Sequence, residues 1–343
     1  MPSPRERLKG LFRSLGAGVG FLARAVLVAW ASLAIFYSNL PWPELRLGLA
    51  LAFLGFATWA LWFSRLQKLR LAVALLFAGV VVWWITIQPS GDRPWRTDVA
   101  VMPRASIDGD VVHLTDVRDF DYRSVDDFTV HYEQREVRLS HLTGIDFYVS
   151  HWSDGLIGRL IGHTFLSFDF DDAPPLCISI EARPEVGQGY DPVASLFKQY
   201  GLIYVVGDED DLVRVRTNYR QEAVYLYHLN ASAQAARRLF LIYLRRINEL
   251  ADHPEFYNLV SNNCTLNIVR YANAAGFESG FDIRHLFNGL IDSYLYYSGR
   301  MDTTLPYARL RQLSLITAIA QAAGNAPDFS ARIRASLPTI IHH

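Results

Sequence analysis

Three long apolar runs crowd the first 91 residues, and shorter alternating runs follow them. Residues 25–43, 47–64 and 71–91 carry no charged side chain. A helix needs about 20 mostly apolar residues to cross a bilayer, so the pattern predicts spans over about 15–37, 46–64 and 69–88. Trp59, Trp62, Trp83 and Trp84 fall near span ends, where indole rings anchor at the interface. Arg24 interrupts the first run. It either snorkels to the near interface or is a charge with a function inside the membrane. A signal peptide is disfavoured, because two more apolar runs follow the first instead of a soluble domain.

Beyond Gly91 the pattern changes. Residues 91–104, with Pro94 and Pro103, read as a juxtamembrane linker. Strand-like segments follow at 111–115, behind an Asp108-Gly109-Asp110 turn, and at 129–139, 145–150, 163–170, 176–182, 202–206, 213–217 and 223–229. Residues 231–251 place Leu239, Phe240, Tyr243, Leu244 and Ile247 on one helical stripe, with Pro254 just past the end. A second helix runs from about Cys264 to Ala275 and stops at Gly276. The tail from Thr303 reads as amphipathic helix broken around 324–327. Strands followed by helices without regular alternation predict an α+β fold.

Charge sharpens this division. The whole chain balances 33 Lys and Arg against 34 Asp and Glu, which excludes a strongly basic nucleic-acid binder. Yet residues 1–91 carry nine basic and two acidic groups, so the remainder is net acidic. The two domains expected are therefore a transmembrane region, 1–91, and an exported α+β domain, 92–343. Basic residues in the amino-terminal tail and the second loop, and none in the loop 38–45, place both in the cytoplasm. Three spans then carry 92–343 to the far side of the membrane.

Two cysteines are too few for a disulfide scaffold or a Cys-rich metal site, and no Gly-rich phosphate loop is present. No cofactor is expected. Cys264 follows Ser261-Asn262-Asn263 and opens a helix, where the dipole and free amides lower a thiol pKa and can receive an oxyanion. Ser261 or Asn262 offers a cap. Burial as a small apolar side chain is the competing reading of Cys264. Cys177, inside the apolar strand 176–180, reads as core, and a disulfide between the two in an oxidising compartment depends on their geometry.

A nucleophilic thiol needs a base. Of ten histidines, His163 heads an apolar strand behind Gly162 and shares a face with Phe165 and Ser167. On the next strand Ser179, Glu181 and Arg183 alternate onto one face. Glu181 or Ser179 can orient the imidazole. Alternatively, Glu181 and Arg183 form a structural ion pair.

With these residues in view, the chain resembles the Lnb-type membrane proteins of Gram-negative bacteria. The resemblance is carried by His163-Thr164-Phe165-Leu166-Ser167-Phe168, Ile178-Ser179-Ile180-Glu181-Ala182-Arg183, Tyr204 to Asp210, Val224-Tyr225-Leu226-Tyr227, Pro254 to Asn258 and Asn262-Asn263-Cys264-Thr265. Val117 to Arg123 also fits, and the likeness spans roughly 115–275. It implies a permuted NlpC/papain-like domain with an antiparallel sheet, in which the histidine strand precedes the nucleophile helix. It also implies Cys264 as nucleophile, His163 as base, Glu181 or Ser179 as the third residue, and Asn262 and Asn263 as helix cap and oxyanion residues. The implied activity is acyl transfer from a phospholipid, through a Cys thioester, to the α-amine of a lipoprotein at the bacterial inner membrane. The partners are then the bilayer, a phospholipid donor and a lipoprotein acceptor, with the catalytic domain in the periplasm. Two alternatives remain at this stage: a periplasmic cysteine peptidase or amidase acting on cell-wall peptides, and a non-catalytic membrane-anchored interaction module.

Overall fold

The computed structural model describes residues 4–152 and 155–338. The chain divides into two compact units, Met1–Pro89 with Asp191–Gln199, and Ser90–Tyr190 with Tyr200–His343.

The first unit is built from α1 (Pro4–Phe36), α2 (Pro43–Thr58), which continues as a π-helical turn Trp59–Phe63, and α3 (Gln67–Thr86). Pro43 starts α2 at a position where its missing N–H costs nothing. Ser14–Phe36, Pro43–Phe63 and Gln67–Thr86 are long and apolar enough to cross a membrane. They meet through Ala31, Ala50, Ala57 and Ala60 beside Val28, Ile35 and Phe53, the small side chains that let helix backbones approach closely. Leu22, Leu51 and Leu75 stay exposed on the outside, as lipid-facing residues do. Arg24 is also exposed. Segment 191–199 belongs to this unit: Phe197 stacks on Tyr37 at 5.6 Å, and Lys198 Nζ donates to the Trp84 and Ile87 carbonyls at 2.9 Å each.

The second unit holds β1 (Arg104–Asp108), β2 (Val111–Arg118), β3 (Asp121–Tyr122), β4 (Phe128–Thr129), β5 (Tyr132–Arg138), β6 (Leu142–His151), α4 (Leu156–Leu160), β7 (Gly162–Phe170), β8 (Leu176–Arg183), β9 (Gly201–Asp208), α5 (Glu209–Leu212), β10 (Ala223–His228), α6 (Ala233–Asp252) and α7 (Cys264–Ala274). Four short helices close the chain, α8 (Ile291–Tyr297), α9 (Tyr307–Ser314), α10 (Thr317–Ala323) and α11 (Phe329–Ile333). The main sheet has eight strands in the order β1-β2-β9-β8-β7-β6-β10, with β5 also on β2. The expected antiparallel sheet is in fact mixed, because β2 runs parallel to β9 where Arg118 meets Gly207. A Cβ at Gly207 would lie 2.5 Å from the Arg118 carbonyl, so glycine is what allows that approach.

Alternation along the strands sets up two cores. Leu166 and Phe168 of β7 face the α6–α7 layer, where Phe168 packs on Phe240 with ring centroids 4.8 Å apart. Phe165 and Cys177 face the other way, into a cluster with Tyr148, Ile203, Ile316, Ala320 and Phe329. The Leu239–Ile247 stripe of α6 is buried as its spacing requires.

Two expectations fail locally. Segment 91–104 is more than a linker, since Trp95, Asp98 and Val99 are buried in the second unit. Its end enters β1, an almost wholly exposed strand whose polar sequence shows no apolar alternation. Residues 213–217, expected as a strand, form helical turns ending in a π-turn, Val215–Tyr219. Their alternation of Val and Arg is real, but Val215, Arg216 and Thr217 are all buried, which a half-buried strand would not do.

Candidate active site

The site forms where two paired strands separate. The β7–β8 ladder runs only from Phe165↔Ser179 to Phe168↔Leu176. Before Phe165, β7 stays paired to β6, with His163 opposite Ser150, while β8 continues against β9 to Arg183. The opening between them leaves the head of β7 reachable from both faces of the sheet. Gly162 is needed at this point, because a Cβ there would lie 2.7 Å from the Ser150 carbonyl.

The amino terminus of α7 enters this opening. Asn263 is the cap: its Oδ1 accepts the Leu266 amide at 2.8 Å, so Cys264 is the first helical residue. Neither Ser261 nor Asn262 takes the capping role. The Asn262 side chain instead ties the loop together, donating to Glu255 Oε2 at 3.1 Å and the Phe256 carbonyl at 2.9 Å, and accepting from Asn267 at 2.9 Å. The amides of Cys264 and Thr265 lie in the first turn, which has no intrahelical acceptors for them.

From the opposite face, His163 reaches the same sulfur. Its Nε2 hydrogen-bonds Ser179 Oγ at 2.7 Å, and Ser179 Oγ donates to Glu181 Oε1 at 2.9 Å. Glu181 Oε1 is itself 3.8 Å from the imidazole, so both residues expected as third members share the role in series. Nδ1 remains as the ring nitrogen for the thiol. Phe165 lies beneath the imidazole, nearly parallel at 5.9 Å. Arg216 stacks over Phe165 at 4.7 Å and donates to Glu181 at 2.7 Å, fixing the end of the relay.

The electrostatics follow from this geometry. Cys264 is 1 % exposed, and burial alone would raise its pKa. The charge and hydrogen bond of His163, with the Thr164 amide and hydroxyl, outweigh burial and bring the thiol down to about 6. Burial likewise opposes ionisation of Glu181, but Arg216 and then His163, Arg118 and Arg220 hold its carboxyl well below the usual range. Thr164 and Thr265 hydroxyls, 2.8 Å apart, fix the strand to the helix beside the sulfur.

Every expected site residue except Asn262 thus sits within the relay or caps its helix. The alternative Glu181–Arg183 pair does not form; Arg183 turns away and donates to the Val99 and Ala100 carbonyls at 2.8 and 2.5 Å. Cys177 and Cys264 are both free thiols. Two contributors escaped the sequence reading. Arg216 lies in the segment 213–217, whose alternation predicts a strand. Asn288 comes from a distant loop: its Oδ1 accepts the Gly162 amide at 2.8 Å, and its Nδ2 lies 3.7 Å from Cys264 Sγ. Only its position between two helices, in a Phe-Asn-Gly turn, could have drawn notice. A cavity of about 560 Å³ opens beside the relay, lined by His163, Glu181, Trp152, Tyr190, Arg220 and Tyr257.

A family model described as the Lnb N-terminal periplasmic domain matches residues 128–289. That stretch carries β7, β8, the capped cysteine helix and Asn288. It is an Lnb-type domain. The match begins after the Val117–Arg123 segment and reaches beyond Ala275 to take in Asn288. No curated protein and no solved structure matches the chain. With three helices fit to span a bilayer ahead of it, the Lnb-type domain is the periplasmic part of a membrane-associated protein.

Proposed function

We propose that this Lnb-type domain is a thiol-dependent acyltransferase, with Cys264 as nucleophile and His163 as its acid and base. The observation that carries the reading is the geometry: buried Cys264 opens a capped helix beside His163, whose Nε2 is anchored by Ser179 and Glu181, and this imidazole brings the thiol down despite burial. A cysteine kept only for packing would have its pKa raised by the same burial.

In the first half-reaction the Cys264 thiolate attacks the carbonyl carbon of a phospholipid ester and forms a C–S bond. The tetrahedral oxyanion receives the amides of the first α7 turn. Collapse breaks the ester C–O bond, and His163 gives its proton to the departing lysophospholipid oxygen. In the second half, the α-amine of a lipoprotein attacks the thioester and loses its proton to His163. The C–S bond breaks, leaving an amide and a regenerated thiolate. Ser179 and Glu181 keep the imidazole in the required tautomer and orientation.

Both proposed substrates reside in lipid, which gives a physical reason for the three apolar helices. On this reading the protein sits in the bacterial inner membrane with its amino terminus in the cytoplasm. The first test is complementation of a strain lacking lipoprotein N-acylation, with mass spectrometry of lipoprotein amino-terminal peptides. N-acylated peptides with wild type and none with equally expressed Cys264→Ala support the reading; full acylation by Cys264→Ala defeats it.

A second reading, a cysteine peptidase or amidase acting on cell-wall peptides, draws support from the charged lining of the cavity, with Arg96, Asp98, Asp126 and Arg220. Water would then resolve the acyl-enzyme, and release of peptides from isolated peptidoglycan would favour it.

A further inference from the structure

The second unit buries three arginines almost completely, and they are not treated alike. Arg118 is held bidentate by Asp211 at 2.8 and 3.0 Å, and Arg216 makes one charge-assisted bond to Glu181 at 2.7 Å. Arg183, 5 % exposed, has no carboxylate partner among the described residues. Its Nε and Nη2 donate to two backbone carbonyls, and the Trp95 ring covers one face of the guanidinium at 4.5 Å. Nη1 makes no hydrogen bond within the described protein, yet it is not sealed off. Arg183 is among the residues lining a cavity of about 470 Å³, with Ser90, Gly91, Trp95, Met102, Ala251 and Glu255.

A buried guanidinium without a counter-ion is costly, because two carbonyl dipoles do not replace a neutralising charge. Burial accordingly lowers its pKa, to about 10. The carboxylate among the cavity's lining residues is already committed, since Glu255 pairs with Arg246 at 2.6 Å and accepts from Asn262 at 3.1 Å. The cavity therefore presents one uncompensated positive charge, an aromatic wall and room for an anion. With Nε and Nη2 engaged by carbonyls, Nη1 is left to make a charge-assisted hydrogen bond to one phosphate oxygen.

We infer that this cavity binds the phosphate of a membrane phospholipid headgroup through Arg183 Nη1, beside Trp95. The membrane source is favoured by connectivity. Ser90 and Gly91 on the cavity wall follow the end of α3 at Thr86 by only a few residues. So short a tether keeps the site at high effective concentration relative to headgroups. This inference stands apart from the thiol chemistry: Arg183 touches neither Cys264 nor His163.

The test uses full-length protein carrying Cys264→Ala, so that no turnover complicates binding. The probes are dihexanoyl phosphatidic acid below its micelle concentration, dihexanoylglycerol and inorganic phosphate. Phosphatidic acid should bind, the neutral glyceride should not, and Arg183→Gln should weaken phosphatidic acid by at least about tenfold. Ala251→Glu provides a second route. It keeps Arg183 and its carbonyl contacts while placing a competing carboxylate in the cavity, and should weaken binding to a similar extent. Equal affinity for inorganic phosphate and phosphatidic acid would overturn the lipid assignment in favour of free phosphate. Unchanged phosphatidic acid binding in folded Arg183→Gln, or in Ala251→Glu, would overturn the site itself.

Discussion

Two cysteines in this domain are equally buried and chemically opposite. Cys177 lies near the start of β8 with no exposure, and burial pushes its thiol well above the ordinary value. Cys264 has 1 % exposure at the head of α7, and its thiol falls to about 6. Desolvation acts on both in the same direction. The difference comes from what faces the sulfur: Cys177 meets an apolar cluster and the negative charge of Glu209, whereas Cys264 meets an imidazole and the Thr164 amide. Burial therefore says little about whether a thiol is inert. The neighbours that can stabilise its anion decide that.

The sharpest way to break this comparison is to exchange the cysteines' fates. Cys264→Ala should reduce acyl transfer by about 10³-fold or more, the scale of removing a nucleophile. Cys177→Ala should leave it within about twofold while costing about 1 kcal/mol of stability for a small buried side chain. Acylation assays and chemical denaturation on both variants check this. Equal losses would mean that the contrast between the two environments has no chemical consequence.

His163→Ala should lower transfer by about 10²- to 10⁴-fold and return the Cys264 thiol upward, toward Cys177-like behaviour. A thiol still ionising near 6 without the imidazole would show that the helix terminus alone suffices. Glu181→Gln tests the far end of the relay. It removes the charge that satisfies Arg216, 3 % exposed, and should cost about 3 kcal/mol through an unpaired buried cation. The Ser179→Ala variant spares that ion pair. Its transfer rate should drop about tenfold with little change in stability, read as a fall in rate without a matching fall in melting temperature.

Smaller effects sharpen the picture at the helix end. Asn263→Ala should destabilise by about 1 kcal/mol through loss of the cap. The sign of the pH dependence is also fixed. The folded Cys264 thiol ionises below an unfolded cysteine, near 8.5. Its ionisation thus stabilises the fold fully above about pH 8.5 and loses that contribution as pH falls through about 6. The stability gap between wild type and Cys264→Ser should widen over that interval as pH rises.

The same contrast shows how far sequence reasoning could reach. Cys264 was legible because a polar cap before an apolar helix is a local signal, and His163 because a glycine and a strand pattern frame it. Ser179 and Glu181 were legible as a shared face, though their order in the relay depends on where β7 and β8 separate, which only pairing reveals. Arg216 was not legible: its Val-Arg-Val-Arg context alternates like a strand, and tertiary burial on all sides turned it into helical turns. Asn288 was not legible because its role is set by a contact across 126 residues to Gly162. Strand β1 escaped for the opposite reason, since an exposed edge strand needs no apolar pattern. The three apolar helices needed little inference, because a bilayer demands length and hydropathy from a single segment.

The central claim is that Cys264 is poised as a thiolate by His163, and its ionisation can be measured without any substrate. Thiolate ultraviolet absorbance of full-length protein, recorded against pH on a Cys177→Ala background and referenced to the same protein carrying Cys264→Ser, isolates the one sulfur. The account predicts a transition near pH 6 that moves upward in His163→Ala. A transition at or above the ordinary cysteine range, unmoved by His163→Ala, would contradict it.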